Sequence, residues 1–325
     1  MADLKPIGGY FELELPKYPK NPPPLREGGV WVNSGQHALE FILMASYNRK
    51  GVVWVPYYTC SVIYEKLAEL NIPFRRYHIN HNLEVDDFPA IGDNDSIIVN
   101  NYFGIQDGYV RRLAEYYGRQ IIIDNAQAWY MPADSGVRMF YSPRKFFGLP
   151  DGGIAYIENF GTNEVKLEER DLSYERCSHL LKRIDSGPES GYEDFKRNSE
   201  NLKQDRLKRM SNLTEALLKS IDYEDAKNRR KTNYRMLHEA FGSINELNLP
   251  KMETFECPMV YPLLIKHDSL RKKLISNKIF VASYWPGVEG EVETYLQKYL
   301  LPLPIDQRYE ADDMRKIIKI IQNGS

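Results

Sequence analysis

Residues 121–156 read IIIDNAQAWYMPADSGVRMFYSPRKFFGLPDGGIAY, and this stretch decides the fold of the chain. Three isoleucines end in the carboxylate of Asp124, which predicts a buried β-strand with an acidic residue at its end. Lys145 stands 21 residues further on, and Gly152-Gly153 then leads into a second apolar strand over 154–156. One segment therefore combines a buried carboxylate, an amine and a tight turn.

Upstream of this stretch, apolar runs alternate with helical patterns. Strands are predicted at 30–33, 51–56, 73–79 and 96–100, and helices from 38, at 61–70 and at 108–117. This alternation predicts a mostly parallel sheet with helices on both faces. The carboxyl ends of the strands form the functional edge of such a sheet. Four polar residues fall there: Ser34, Tyr58, Tyr102 and Asp124.

The chemistry of this edge points to pyridoxal phosphate (PLP). Ser34-Gly35 stands between the first strand and its helix, where free backbone N–H groups and the helix dipole suit a phosphate. A lysine before a Gly-Gly turn can form an imine with the cofactor, and an aspartate can keep its pyridinium nitrogen protonated. Taken alone, Lys145 could be an ordinary surface lysine and Asp124 an ordinary turn or N-cap residue. The order and spacing of Ser34, Asp124 and Lys145 favour the cofactor.

The rest of the chain divides into three predicted regions. Residues 1–30 form an N-terminal arm, strand-like over 10–15 and then Pro-rich, 31–210 a large domain, and 211–325 a smaller C-terminal domain with connecting helices. The charged texture of 163–240 predicts helices at 202–221 and 226–241. The C-terminal part alternates again, with a strand at 259–265, a helix at 269–277, a strand at 279–283 and a last helix at 310–322.

Composition excludes several classes of protein. The 43 basic and 45 acidic residues give a net charge of −2, which favours neither nucleic acid nor a membrane surface as a partner. Three widely spaced cysteines predict reduced thiols and neither a disulfide framework nor a metal site. No run approaches the roughly 18 apolar residues of a membrane span, and no signal-peptide pattern opens the sequence. We therefore expect a cytoplasmic protein.

Several motifs in this order resemble the DegT/StrS family of PLP-dependent sugar aminotransferases, which have the aspartate-aminotransferase fold (fold type I). Residues 33–39, NSGQHAL, resemble the family's Ser-Gly-Thr-Ala-Ala-Leu turn, and 123–128, IDNAQA, resemble its Glu-Asp-Ala-Ala-Gln-Ala signature. Lys145 with Gly152-Gly153 is similar to its imine lysine and Gly-Gly pair. Further similar segments lie at 55–59, 101–104, 284–286 and 301–304, so the resemblance covers nearly the whole chain.

The resemblance implies a three-layer α/β/α large domain with a mostly parallel sheet, plus a smaller α+β C-terminal domain. It implies that Lys145 carries PLP as a covalent aldimine and moves the substrate proton, and that Asp124 pairs with the pyridine nitrogen. Gln127 would bond the ring edge or its phenolic oxygen. The other implied cofactor-binding residues are Ser34, the backbone of Gly35, Gln36 and His37, the Ser142 hydroxyl, and Tyr58 as a stacking ring.

The sequence also departs from the family's pattern. The family's stacking aromatic falls at Cys60, so Tyr58 or Tyr57 is expected to replace it. The phosphate-binding serine of the family falls at Phe140, and Ser142 is its expected substitute. Leu207 stands where the family has an asparagine that reaches into the partner subunit. His37 is interpreted as a turn residue and not as a base, because alanine fills its slot in the family.

The resemblance thus implies an aminotransferase that acts on a keto-sugar or similar small carbonyl compound, with an amino-acid donor such as glutamate. It places the chain in sugar metabolism and polysaccharide biosynthesis and implies a homodimer in which the arm and the 202–221 helix make contacts. Two alternatives remain open. One is a PLP-dependent dehydratase or other lyase on the same fold, and the other is a non-catalytic binding or regulatory protein that retains the scaffold.

Overall fold

In the part of the chain that the structure describes, seven strands form the central sheet. The computed structural model describes residues 10–18, 28–47, 50–157 and 164–323. In chain order the strands of this sheet are β1 (Val30–Val32), β2 (Val53–Pro56), β3 (Phe74–Tyr77), β4 (Ser96–Asn100), β5 (Ile121–Asn125), β6 (Arg138–Tyr141) and β7 (Gly153–Tyr156). Their spatial order is β1-β7-β6-β5-β4-β2-β3. Only β7 runs antiparallel to its neighbours, so the sheet is mostly parallel, as predicted.

Helices cover both faces of this sheet. Side chains alternate across β5: Ile122 packs with the helices of one face, and Ile121 and Ile123 pack on the other. The predicted three-layer arrangement is therefore confirmed. The helices are α1 (Gly35–Ser46), α2 (Ser61–Glu69), α3 (Asp107–Tyr117), α4 (Ser178–Ser186), α5 (Tyr192–Gln204), α6 (Asn212–Lys219), α7 (Tyr223–Phe241), α8 (Leu270–Ser276), α9 (Glu291–Tyr299) and α10 (Ala311–Gln322).

The C-terminal part carries a second, smaller sheet. Its two antiparallel strands are β8 (Val260–Leu264) and β9 (Leu300–Pro304). Helix α7 packs against β8 and α10, and α10 packs against α8. Buried side chains run without a break from the large sheet into this part. The domain boundary near residue 210 therefore stays a prediction.

The predicted helix over 202–221 is wrong. Helix α5 ends at Gln204 and α6 begins at Asn212, and the residues between them run along the edge strand β1. Met210 donates its backbone N–H to Trp31 O, and Asn33 donates to Lys208 O. An edge strand offers unpaired backbone groups, and here they hold the connecting segment in an extended form.

Two strand predictions are also wrong. Residues 279–283 are not a strand: β8 pairs with β9, and Ile279 and Val281 are buried in an irregular segment. Residues 10–15 have no strand partner among the residues that the structure describes, and Tyr10 is 99% exposed. The rest of the predicted arm, except 16–18 and 28–30, lies outside the described residues. No helix in the described part of the chain is long and apolar enough to span a membrane.

Candidate functional site

The start of α1 lies against Ser142, which follows β6. Ser34 caps α1, and its side chain accepts a hydrogen bond from the N–H of His37 at 3.3 Å. A Cβ atom at Gly35 would lie 3.0 Å from Ser142 Cβ and 3.3 Å from its Oγ. A side chain at position 35 would therefore fill the space between the turn and the Ser142 hydroxyl. The structure brings these two parts of the predicted phosphate seat together.

The Gly152-Gly153 pair contacts the backbone of the same turn at the start of α1. Gly152 donates its N–H to Asn33 O at 2.8 Å and has a φ of +122°, which side chains rarely adopt. A Cβ at Gly153 would overlap the carbonyl oxygen of Ser34 and lie 2.8 Å from Gly35 N. Glycine is needed at position 152 because of its φ, and at position 153 because β7 and the start of α1 are in backbone contact.

Gln36 and His37 turn their side chains away from the seat and towards the end of α5. Gln36 Nε2 donates to Leu202 O at 2.8 Å, and His37 Nε2 lies 2.9 Å from Asp205 O. The second ring nitrogen of His37 lies 2.8 Å from Ser34 Oγ. Burial lowers the pKa of His37, which the Asp205 carbonyl and the charge of Glu40 partly offset.

Asp124 and Lys145 interact electrostatically at the carboxyl edge of the sheet. Asp124 lies in β5 between Asn100 of β4 and Phe140 of β6, and its carboxylate accepts the N–H of Ala126 at 2.8 Å. Burial raises the pKa of Asp124, and the positive charge of Lys145 acts in the opposite direction. Lys145 ends a single 3₁₀ turn, Pro143–Lys145, with its side chain exposed.

A buried carboxylate anchors the loop after Lys145. Asp151 accepts the N–H and the hydroxyl of Ser211, each at 2.8 Å, and the hydroxyl of Thr214. Ser211 also caps α6, so Asp151 joins the Gly-Gly turn to that helix. The largely buried guanidinium of Arg144 balances its charge, and burial lowers the pKa of Arg144.

Three polar atoms at this edge are buried without a hydrogen-bond partner among the described residues. They are Gln127 Nε2, Asn100 Oδ1 and Tyr58 Oη. They follow or end β5, β4 and β2, which are neighbours in the sheet. An unsatisfied buried polar group costs about 1–3 kcal/mol. A polar ligand bound at these strand ends could supply partners of this kind.

The amide of Gln127 is held in a defined orientation. Its Oε1 accepts the backbone N–H of Phe103 at 2.9 Å, so the free Nε2 is the donor left for a ligand. Asn100 is similarly held, with Nδ2 on Thr59 Oγ1 at 2.9 Å. Sequence reasoning did not select Asn100 or Thr59. The signal for them is position, since each stands at or just after the carboxyl end of a parallel strand.

Tyr58 is packed into an aromatic cluster. Its ring lies 4.6 Å from Trp285 in an edge-to-face arrangement and 5.8 Å from Tyr102, and its side chain is fully buried. Burial raises the pKa of Tyr58. The stacking role of Tyr58 stays a prediction.

Two surface cavities border helix α7. One of about 370 Å³ is bordered by Phe147, Leu217 and Gln307, and one of about 270 Å³ lies between α7 and Tyr309. Neither is lined by Asp124 or Lys145. The described residues hold no cluster of His, Cys, Asp and Glu suited to a metal.

Similarity to known proteins is structural. No family model and no curated protein matches the sequence. A DegT/DnrJ/EryC1/StrS aminotransferase of Brucella abortus is 18% identical, with 91% of this chain and 85% of that chain covered and a TM-score of 0.60. The chain has the fold of these aminotransferases. The predicted fold class and the resemblance are confirmed at that level.

Two further solved structures with this fold contain the expected cofactor chemistry. DesV of S. venezuelae, solved with a ketimine intermediate, is 16% identical, with a TM-score of 0.61 over 91% of this chain and 84% of its own. Spr1654 of Streptococcus pneumoniae, described as a sugar aminotransferase and solved in its PLP form, is 15% identical, with a TM-score of 0.60 over 91% and 86%. These matches show that the chain shares the fold of proteins that were solved with a ketimine intermediate or in a PLP form.

Proposed function

We propose that this protein is a PLP-dependent aminotransferase that acts on a keto-sugar or similar small carbonyl compound, with an amino acid such as glutamate as the donor. One observation carries the proposal: the buried Asp124 interacts with Lys145 at the same sheet edge where Gly35 adjoins Ser142. This sheet edge thus offers an acid, an amine and an anion seat. The sugar aminotransferases that share the fold support the same reading.

The residues present fit the cofactor. The space over Gly35 is one that a Cβ would fill, and Gln127 Nε2 is a buried donor without a partner among the described residues. When bound, PLP supplies an electron sink for charge that develops at the substrate carbon. Lys145 would hold it covalently and move a proton at that carbon, and Asp124 would bind the ring nitrogen. Gln127 would donate to the ring edge.

The phosphate would be bound at the start of α1. Unpaired N–H groups at a helix start favour an anion, and Ser142 adds a hydroxyl beside them. Of the predicted donors, the N–H of His37 is already bonded to Ser34 Oγ, which leaves those of Gly35 and Gln36. Cys60 and Leu207 differ from the family's pattern, and they mark where the substrate pocket of this chain would differ from its relatives.

The proposal is tested by the absorption spectrum of the protein with PLP, before and after borohydride reduction, and by peptide mapping. We expect an absorption band typical of a lysine-bound cofactor and a reduced adduct on Lys145. Lys145→Ala should lose the adduct and at least ~99% of transamination, because the covalent anchor and the proton carrier are removed. Lys196→Ala, on the exposed face of α5, is the matched control. Substantial turnover by Lys145→Ala would contradict the proposal.

Incubation with glutamate separates transamination from its rivals. Conversion of bound PLP to its amine form supports the aminotransferase. Tight PLP binding with no half-reaction for any donor would favour a dehydratase or another lyase. A protein that binds no PLP would favour the non-catalytic alternative, for which the complete burial of Tyr58 and the lack of a ring at Cys60 are the relevant observations.

We also propose that the protein is a homodimer, as the family resemblance implies. Tyr10, Phe11 and Leu13 are 99%, 93% and 68% exposed in the single chain, so a partner subunit would cover apolar area here. The predicted contact helix is corrected to the separate helices α5 and α6. A solution mass by light scattering checks the proposal, and a monomer at micromolar concentration would contradict it.

A further inference from the structure

The bonds of His37 fix its neutral tautomer. The carbonyl oxygen of Asp205, 2.9 Å from Nε2, can only accept a hydrogen bond, so Nε2 carries the ring proton. In the neutral ring Nδ1 is then the acceptor. Ser34 Oγ lies 2.8 Å from Nδ1, and its hydroxyl must therefore be the donor in this contact.

The single hydroxyl proton of Ser34 is thereby committed. Its oxygen also accepts the N–H of His37 at 3.3 Å, so only lone pairs remain for a third group. A phosphate oxygen needs a donor, and lone pairs repel it. The side-chain amide of Gln36 is not free to bind the phosphate either, since its Nε2 donates to Leu202 O and Lys203 O. The neighbouring hydroxyl is that of Ser142, which adjoins Gly35.

We propose that His37 is a positioning residue that turns the Ser34 hydroxyl away from the cofactor phosphate, so that Ser142 is the serine that donates to it. His37 at the same time fastens the start of α1 to the segment after α5 through Asp205. This inference rests on the proposed function and refines its phosphate-binding site. Ser34, which is predicted as a phosphate ligand, instead holds His37 in place at the start of α1.

Protonation of His37 would reverse the arrangement. A protonated ring makes Nδ1 a donor, Ser34 Oγ then accepts from it, and the hydroxyl proton is released towards the anion. The charged groups that face the ring are Glu40 at 3.9 Å from Nε2, and Lys66 and Asp205 as more distant charges. Glu40 is itself paired with Lys66 at 3.1 Å. The contribution of Ser34 to phosphate binding should therefore grow only once the pH falls below the lowered pKa of His37.

The first test needs no cofactor. Imidazole ¹⁵N spectra of the cofactor-free protein at pH 8 should show His37 as the neutral ring with the proton on Nε2. Ser34→Ala should shift the Nδ1 resonance because it removes the donor, and Ser34→Gly, which keeps helix capping nearly intact, should do the same. A proton on Nδ1 at pH 8 would overturn the inference.

The second test measures the dissociation constant of PLP by titration. At pH 8, Ser142→Ala should weaken binding by about 10-fold or more, as expected for a lost hydrogen bond to a charged group, and Ser34→Gly by less than about 3-fold. The ratio of the two dissociation constants, Ser34→Gly over wild type, should stay constant between pH 8 and pH 6.5, because burial lowers the pKa of His37 and keeps the ring neutral in this range. Equal losses in the two serine variants at pH 8, or a ratio that changes between pH 8 and pH 6.5, would overturn the inference.

The outcomes distinguish this inference from the proposed function. If the wild-type protein binds no PLP at any pH, the proposed function fails and the phosphate seat fails with it. If it binds PLP on Lys145 and Ser34→Gly is the more damaging variant, the proposed function stands and only the role of His37 is wrong.

Discussion

Asp124 is buried at the end of β5, and burial raises its pKa while the charge of Lys145 lowers it. In the cofactor-free protein the two influences oppose each other, and burial is the larger. A cation at the ring nitrogen of PLP would add a second stabilising charge for the carboxylate. The buried carboxylate of Asp124, which would suit the cofactor, is therefore expected to destabilise the folded protein when the cofactor is absent.

This destabilisation by a buried carboxylate gives a prediction for Asp124→Asn. A carboxyl group with a raised pKa binds its proton more tightly in the folded than in the unfolded chain, so the stability it contributes falls as pH rises above about 4. The variant should raise the melting temperature of the cofactor-free protein at pH 7.5, and this gain should vanish near pH 4. It should also weaken PLP binding.

Thermal unfolding of both proteins at the two pH values measures the effect. Asp87→Asn, at an exposed position, is the control and should change little at either pH. An Asp124→Asn protein that is less stable than wild type at pH 7.5 would show that burial is not the dominant influence.

At the scale of elements, the contact between α1 and β7 shapes the site. Gly152 N–H bonds to Asn33 O, and Gly153 lies against the carbonyl of Ser34. The helix start is thus fixed by a strand that follows Lys145 in sequence. Any displacement of β7 would move the phosphate seat relative to Lys145.

Gly153→Ala should therefore destabilise the protein by at least about 2 kcal/mol, since its Cβ would overlap backbone that has no free space to shift. Gly92→Ala is a matched control, because a Cβ there would meet only Asp95, at 3.6 Å, and the expected change is within about 0.5 kcal/mol. Chemical denaturation gives both values. Equal stability of the two variants would contradict the close approach of α1 and β7.

Across the whole molecule, one buried arginine joins the Lys145 loop to the C-terminal part. Arg230 of α7 donates to Phe146 O at 3.1 Å, to Met259 O at 2.9 Å and to Gln307 Oε1 at 3.1 Å. Its side chain is almost completely buried, and burial lowers its pKa. The residue after Lys145 is thus held by a residue that lies 84 positions further along the chain.

Arg230→Lys keeps the charge but cannot reach three acceptors in the geometry of a guanidinium. We expect a loss of about 2 kcal/mol or more in unfolding free energy, and weaker PLP binding because the Lys145 loop loses its support. Arg235→Lys, on the exposed face of the same helix, should leave both quantities unchanged. Unfolding and PLP titration of the two variants check this, and an Arg230→Lys protein like wild type would refute it.

The sequence by itself determined the alternation of strands and helices, the burial of Asp124 and the Gly152-Gly153 turn before β7, because periodicity and strand composition are local properties of the chain. Tertiary structure decided what the turn residues do. Gln36 and His37 bond to the end of α5, which lies about 170 residues away in sequence, and the edge of β1 breaks the 202–221 helix. Trp285, which is also distant in sequence, packs against the buried ring of Tyr58. Such choices depend on which distant backbone groups and rings reach the site, and no local pattern encodes that distance.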